Sequence, residues 1–580
     1  MQTPEQSKAL SLKEDWPFLP ALAAVCSMLY LYGYKSFWLP ADEGTYAHCV
    51  QRVLEGQLPH RDFLLPHPGL NLWANVWALK LCGQTLSALR WPAVVLALLQ
   101  TPIVYLLLRP LGPWVAAVAA VWFGALGLPA IPSPSAGLFA TFFALAALVT
   151  VAPERPWGSR PRLMALGLAL GLAFCSRQTT AVFLGCGLIS WMLSHPAMEQ
   201  SEGRAVVGRA LLLCSAVGVS WYALGRSNMF GAACFALPPV LLAWQAVWRG
   251  RPSHDVAVRI VAGVGSGFLL GFLPLVAYNA WQGILTDWFT DVFIRSTSFV
   301  SLGFTSLFWL SDILKDITLA VPLIRSPVAV VQLATWLFLL FVSLLVALFC
   351  LARRQRNLEV PAYVFCGPFL ALGALQIEIA IYLLWALPVA VLGGLYVLRE
   401  VTPVPKAFPA VGLVLLLGFF NSTVGKPVWL RDQKDFVLTP LGQRLPLVYL
   451  GGRADLFVPA SSADFYRRSL DLIEREVGPE EAIFSFPYHP EWYFLAARKN
   501  PTPYTLPGVA VASPEALAAC HQALQKEPPK LILYHSRDKY NTTFTRQLRS
   551  LLEAEYEIIH QEQGYEFLLR KAPTLVNPPS

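Results

Sequence analysis

The feature that most constrains this chain is a series of apolar runs, each about 20 residues long, the length at which an α-helix crosses the hydrocarbon core of a bilayer. They fill most of residues 16–424. Breaking the runs at charged, Pro and Gly clusters predicts helices near 17–38, 87–108, 113–131, 136–152, 163–176, 179–194, 205–224, 229–248, 257–279, 327–351, 359–376, 379–397 and 406–423, about thirteen in all. The first run is too long for the apolar region of a cleaved signal peptide and lacks a small-residue cleavage site, so it reads as a retained anchor.

Composition agrees. Of 580 residues, 55% are hydrophobic and only 14% are charged, against about 25% charged in ordinary soluble domains. The formal charge of +8 reflects basic loops rather than a nucleic-acid surface. The ten cysteines are scattered without a CxxC pair, which points to packing rather than a metal or disulfide framework.

Basic residues fix the orientation. Arg155, Arg160 and Arg162, then Arg249, Arg251 and Arg259, then Arg353, Arg354 and Arg356, then Arg399 and Lys406 all fall on the face that also carries Lys8 and Lys13. The excess of basic loops marks that face as cytoplasmic. Residues 1–16 are then a cytoplasmic N-terminus, 17–424 a transmembrane domain with outer loops 39–86 and 280–326, and 425–580 a small extracytoplasmic α/β domain. The expected location is the plasma (inner) membrane.

The outer loops are patterned. Tyr46, Val50, Val53 and Leu54 recur at helical spacing, as do Leu70, Trp73, Val76, Trp77 and Leu81, predicting two amphipathic interfacial helices within 39–86. Loop 280–326 mixes Trp281, Trp288, Phe289, Phe293 and Phe308 with Asp287, Asp291 and Arg295, suiting a lid at the interface. In the tail, 463–477 reads as an amphipathic helix, 482–486 and 531–534 as buried strands, and 556–560 with 567–569 as a hairpin.

The segment Leu39-Pro-Ala-Asp-Glu-Gly-Thr-Tyr46, followed by Gln51-Arg-Val-Leu-Glu-Gly-Gln57 and Arg61-Asp-Phe-Leu-Leu-Pro-His-Pro-Gly69, resembles the first outer loop of bacterial GT-C glycosyltransferases. Ile381-Tyr-Leu-Leu-Trp-Ala-Leu-Pro388 is similar to a late helix of that superfamily. Members that look like this include the protein O-mannosyltransferases, the lipid A aminoarabinose transferase and Rgt-type glycosyltransferases. The resemblance implies a polyprenyl-phosphate sugar as donor and a glycan, lipid or protein as acceptor. It also implies an α-helical polytopic fold of GT-C type and chemistry at the outer face.

Such transfer needs a base for the acceptor hydroxyl, positive charge for the leaving phosphate and a water-poor pocket. By resemblance Asp42 is the base, with Glu43 orienting it or sharing a divalent metal (Mg, Mn or Zn) bound by Asp42. The same acidic pair also suits the N-terminus of a helix, where free N–H groups and the dipole favour carboxylates. Arg61, Lys80, Arg177 and Arg295 are candidates for the phosphate, because guanidinium and ammonium groups offer it charged hydrogen bonds. Tyr46, Arg52, His67 and the membrane-edge Glu378 complete the candidate substrate site. Many relatives carry a second acid in the outer turn after the third helix, where this chain has Ile131-Pro-Ser-Pro-Ser135, so the metal is optional.

Two other classes compete. A transporter or flippase would also have many spans, but it predicts inverted repeats and charges at mid-membrane, and the sequence carries neither. A scaffold that binds polyprenyl lipid without transferring sugar is the other, and the missing second acid keeps it in play behind the enzyme.

Overall fold

The computed structural model describes residues 18–35, 38–121, 123, 133–152, 158–195, 206–226, 231–250, 252–296, 327–356, 358–375, 386–401 and 447–572. Its first part is helical: α1 Phe18–Gly33, α2 Pro40–Leu54, α3 Leu70–Cys82, α4 Leu86–Leu89, α5 Trp91–Leu108, α6 Pro113–Val121, α7 Ala136–Thr150, α8 Arg160–Ser176 and α9 Gln178–Leu193. There follow α10 Val206–Arg226, α11 Leu237–Arg249, α12 His254–Trp281, α13 Leu285–Phe289, α14 Pro327–Gln355, α15 Ala362–Ala371 and α16 Pro388–Val401. The predicted helices thus have counterparts wherever the chain is described, including the two expected within 39–86.

Three described helices, Leu86–Leu111, Val206–Gly225 and His254–Trp281, are long and apolar enough to cross a membrane. Leu19–Met28, Ala136–Thr150, Gln178–Leu193 and Ala362–Leu375 are shorter apolar helices. The described residues do not confirm the expected count of thirteen. The helix expected at 406–423, most of 379–387 and the lid segment 297–326 lie outside the described residues.

Local chemistry explains the helix starts. Ser135 caps α7 by accepting from the Leu138 N–H, and Ser253 caps α12 through the Val256 N–H, each supplying one acceptor that the first turn lacks. Between helices, close approach depends on glycine. Gly167 and Gly171 of α8 face Gly263, Gly267 and Gly271 of α12, and a Cβ added at Gly167 would lie 2.0 Å from the Val264 carbonyl oxygen. Small residues spaced four apart let helix backbones touch where lipid offers no hydrophobic drive to association.

The C-terminal part comprises β1 Leu447–Leu450, β2 Leu456–Pro459, α17 Ala460–Glu476, β3 Ile483–Phe486, α18 Glu491–Leu495, α19 Pro507–Ala510, α20 Pro514–Lys526, β4 Leu531–His535, α21 Thr543–Leu552, β5 Tyr556–Glu562 and β6 Tyr565–Arg570. Its main sheet runs β3-β4-β6-β5, with β3 and β4 parallel and the other pairs antiparallel. The β5–β6 hairpin expected from the sequence closes it.

This unit shares one hydrophobic core with the 38–89 segment. Trp38, Val50, Phe63, Leu72 and Val76 cluster with Leu456, Phe465, Trp492, Tyr493 and Phe567. Polar ties reinforce the junction: the Phe457 N–H donates to the Lys35 carbonyl at 2.8 Å, Lys35 Nζ pairs with Asp455 at 2.7 Å, and the Leu86 N–H donates to the Arg453 carbonyl at 2.9 Å. Burial of apolar surface from both sides holds α2 and α3 against the sheet domain.

Candidate functional site

The site begins at the first turn of α2. Pro40 starts the helix with its backbone already set near helical φ, and Asp42 and Glu43 occupy the turn where the dipole favours carboxylates. Their side chains then part. Glu43 turns inward, accepting from the Leu39 N–H at 3.2 Å and pairing with Arg90 through Nε–Oε1 at 2.6 Å and Nη2–Oε2 at 2.8 Å. Arg90 also donates to the Tyr34 carbonyl at 2.5 Å. The bond to the Leu39 N–H is a contact at the helix start, and the pair with Arg90 anchors Glu43 away from Asp42.

Asp42 points the other way. It is half-buried, and its Oδ1 accepts from the Tyr488 hydroxyl at 3.3 Å. Burial pushes its carboxyl above the usual aspartate range; the Tyr488 hydrogen bond and the Lys539 charge counter this, while Glu43 and Glu491 add to it. The C-terminal unit reaches Asp42 because Gly44 lets α2 touch α18, where a Cβ would fall 2.5 Å from the Glu491 backbone N and Cα.

Around Tyr488 lies a polar cluster. Its ring stacks on Tyr540 at 4.1 Å, and Lys539 sits over Tyr540 at 5.1 Å. His489 lies between two acids, with Nδ1 3.2 Å from Glu491 Oε1 and Nε2 2.8 Å from Asp538 Oδ2. Burial opposes a charge on His489, but Glu491 and Asp538 outweigh it and raise its pKa to about 9.

A second convergence forms where the 58–68 loop meets the membrane domain. Arg177, in extended conformation, breaks the chain between α8 and α9 and is buried. Gln178 donates to the Pro66 carbonyl at 3.4 Å and to the Val292 carbonyl at 3.1 Å, and Trp288 Nε1 donates to the Pro68 carbonyl at 3.0 Å. His67 loses its proton readily: burial, then the Arg177 charge, lowers its pKa to about 3. Asp291 ties the segment down, facing His60 at 3.4 Å, Arg295 at 2.8 Å and the Leu65 N–H at 3.3 Å.

The remaining candidates are placed less centrally. Arg52 donates to the Thr502 and Asp62 carbonyls at 2.8 and 2.9 Å, braces Gln57, and lies 5.0 Å from the Phe63 ring, so it acts as a strut between the loop and the C-terminal unit. Tyr46 is half-buried against the shared core. Arg61 is exposed and paired with Asp62, and Arg295 is exposed beside Asp291. Lys80 is exposed on α3 near the outward-facing Trp77, which suits a membrane surface better than a pocket. Glu378 lies outside the described residues.

The optional metal on Asp42 would have to be held without Glu43, whose oxygens pair with Arg90. Among the described residues the one grouping of three suitable side chains is His489, His535 and Asp538. Sequence reading missed Arg90, Asp538 and Lys539. Arg90, an arginine at the edge of an apolar run, carried a signal; the other two come near Asp42 only through folding.

A bundle of apolar helices bearing a small mixed sheet domain packed on the acid-bearing helix α2 defines the architecture. The chain is similar to the crystal structure of ArnT from Cupriavidus metallidurans in the apo state, at 15% identity and a TM-score of 0.40, covering 98% of this chain and 100% of that one. It is similar to the archaeal oligosaccharyltransferase AglB from Archaeoglobus fulgidus in complex with an inhibitory peptide and a dolichol-phosphate, at 12% identity and a TM-score of 0.43, covering 98% and 75%. It is also similar to an Archaeoglobus fulgidus oligosaccharyltransferase in complex with Zn and sulfate, at 11% identity and a TM-score of 0.40, covering 95% and 73%. No protein-family profile and no curated protein matches the chain.

Proposed function

We propose that this protein is a membrane glycosyltransferase of GT-C type that moves a sugar from a polyprenyl-phosphate donor to a glycan, lipid or protein acceptor at the outer membrane face. One observation carries the reading: Asp42 is a half-buried carboxylate with raised basicity, held by Tyr488 where the outer helix meets the C-terminal unit. The resemblance of the 39–69 segment to GT-C outer loops supports it.

In this mechanism Asp42 takes the proton of the acceptor hydroxyl as its oxygen attacks the anomeric carbon. The bond from that carbon to the phosphate oxygen breaks, and polyprenyl phosphate leaves with the electron pair. A carboxylate whose pKa lies closer to neutrality is the better base. Tyr488 holds it in one orientation. Glu43, engaged by Arg90, acts as the fixed foot of the turn rather than as a second base. Arg177 is the candidate for the donor phosphate, since it is a buried arginine whose charge acts on His67, whereas Arg52 serves as a strut to the C-terminal unit. The outer orientation follows from the basic loops.

The test compares native protein with Asp42→Ala, using purified protein, a radiolabelled polyprenyl-phosphate sugar and a membrane extract. Native protein transfers label and the variant does not; equal transfer by both overturns the assignment. Cysteine labelling from outside the cell, at positions in 447–572, tests the orientation.

A further inference from the structure

The loop after β3, the last residue of β4 and the loop that follows it bring His489, His535 and Asp538 together, with their ligand-capable atoms all within 4.8 Å of one another. Each histidine has its outer nitrogen held by an acceptor. His489 Nδ1 faces Glu491 Oε1 at 3.2 Å and the Tyr565 hydroxyl at 2.7 Å, and His535 Nε2 faces the Gln563 carbonyl at 3.3 Å. With the outer nitrogens protonated, His489 Nε2 and His535 Nδ1 are the nitrogens that face Asp538 Oδ2, at 2.8 and 3.7 Å, and a metal ion bound there takes the place of the proton that His489 Nε2 shares with Asp538. His535 Nδ1 is shut off from solvent without a hydrogen-bond partner. Asp538 is oriented as well, because its Oδ1 accepts from the Tyr540 N–H at 2.6 Å.

Metal-bound histidines are held in this way: an acceptor on the far nitrogen fixes the tautomer and aims the near lone pair. Ligand atoms about 2.0–2.2 Å from a tetrahedral zinc stand roughly 3.3–3.6 Å apart. Two of the three separations here, 2.8 and 3.7 Å, bracket that spacing and the third lies within 4.8 Å, so side-chain adjustment without a change of backbone is what the ion requires. Two imidazoles and one carboxylate suit zinc, whereas magnesium and calcium prefer oxygen alone.

We propose that His489 Nε2, His535 Nδ1 and Asp538 Oδ2 bind a zinc ion, with a fourth position left for water or an anionic oxygen. The three side chains keep 10–19% exposure, which gives access to that position. The ion bridges the loops carrying Tyr488 and Tyr540, whose rings already stack at 4.1 Å, and so steadies the hydroxyl that bonds Asp42. The site stands apart from the glycosyltransferase reading, since metal content is measured without turnover.

The experiment uses full-length protein in detergent, loaded with zinc, dialysed and analysed by elemental mass spectrometry, with visible absorption after cobalt(II) replacement. Native protein retains about one zinc per chain, and His535→Ala and Asp538→Asn each weaken retention at least tenfold. His560→Ala, on the exposed β5 strand, retains the metal. Cobalt gives the intense visible bands of a four- or five-coordinate site with nitrogen ligands. Native protein without bound zinc, or undiminished zinc in His535→Ala, overturns the proposal. Should the variants elute as aggregates, the cobalt spectrum of the native protein decides alone: intense bands support the site, and their absence overturns it.

Discussion

Removing Arg90 should be among the most damaging single changes around the acid-bearing helix α2. Its side chain is 0% exposed and that of Glu43 is 2% exposed, and the two meet through bonds of 2.6 and 2.8 Å. Arg90→Ala leaves the Glu43 carboxylate buried and without this cation, which costs about 3–5 kcal/mol for a buried pair broken on one side. Replacing both partners by apolar residues, Glu43→Leu with Arg90→Met, removes the stranded charge and should recover most of that loss, because well-packed apolar substitutes for buried ion pairs are close to neutral. Denaturant unfolding in a mild detergent, with all four members of the cycle, measures the effect. The double variant also separates the two acids: it should retain transfer activity, whereas Asp42→Asn should not. A loss below about 1 kcal/mol for Arg90→Ala, the size expected of an exposed pair, would refute the reasoning. So would a double variant no more stable than the single one.

The pH dependence of transfer follows from Asp42. The base must be deprotonated and its pKa is raised by burial, so activity should fall on acidification at a pH above the ordinary aspartate value of about 3.9. Lys539→Ala and Tyr488→Phe each remove an influence that lowers that pKa, and both should move the acid limb to higher pH, read from kcat/KM profiles. Gly44→Ala places a Cβ 2.5 Å from the Glu491 backbone, forcing α2 from α18 at a cost of about 1–3 kcal/mol; lower thermal stability together with lower kcat is the expected result. Gly267→Ala puts a Cβ 2.0 Å from the Met164 carbonyl oxygen, and a lowered unfolding midpoint should reveal the loss of α8–α12 contact.

Much of the helical framework was legible in the chain, because apolar length and amphipathic spacing are local properties. The helices at Pro40–Leu54, Leu70–Cys82 and Ala460–Glu476 and the β5–β6 hairpin all follow from period and burial. The acidic pair was legible too, but not the division of labour within it. Adjacent residues on a helix point about 100° apart, so one of the two had to turn inward, and nothing in Asp42-Glu43 says which. Arg90 decides that, 47 positions away.

Sequence alone determined that the chain is built from apolar helices with a polar, mixed α/β tail, and that its acids and aromatics gather in the loop after the first helix. Tertiary structure decided the rest. Of the cationic candidates it buries Arg177, makes Arg52 a strut and leaves Lys80 at the surface. It also joins the tail and the 38–89 segment in one core, bringing Tyr488, Lys539 and the His489–His535–Asp538 cluster to a carboxylate more than 400 residues earlier. The physical reason is that hydrophobic periodicity records which face of an element is buried, whereas the partner of a buried charge is chosen by packing between distant segments.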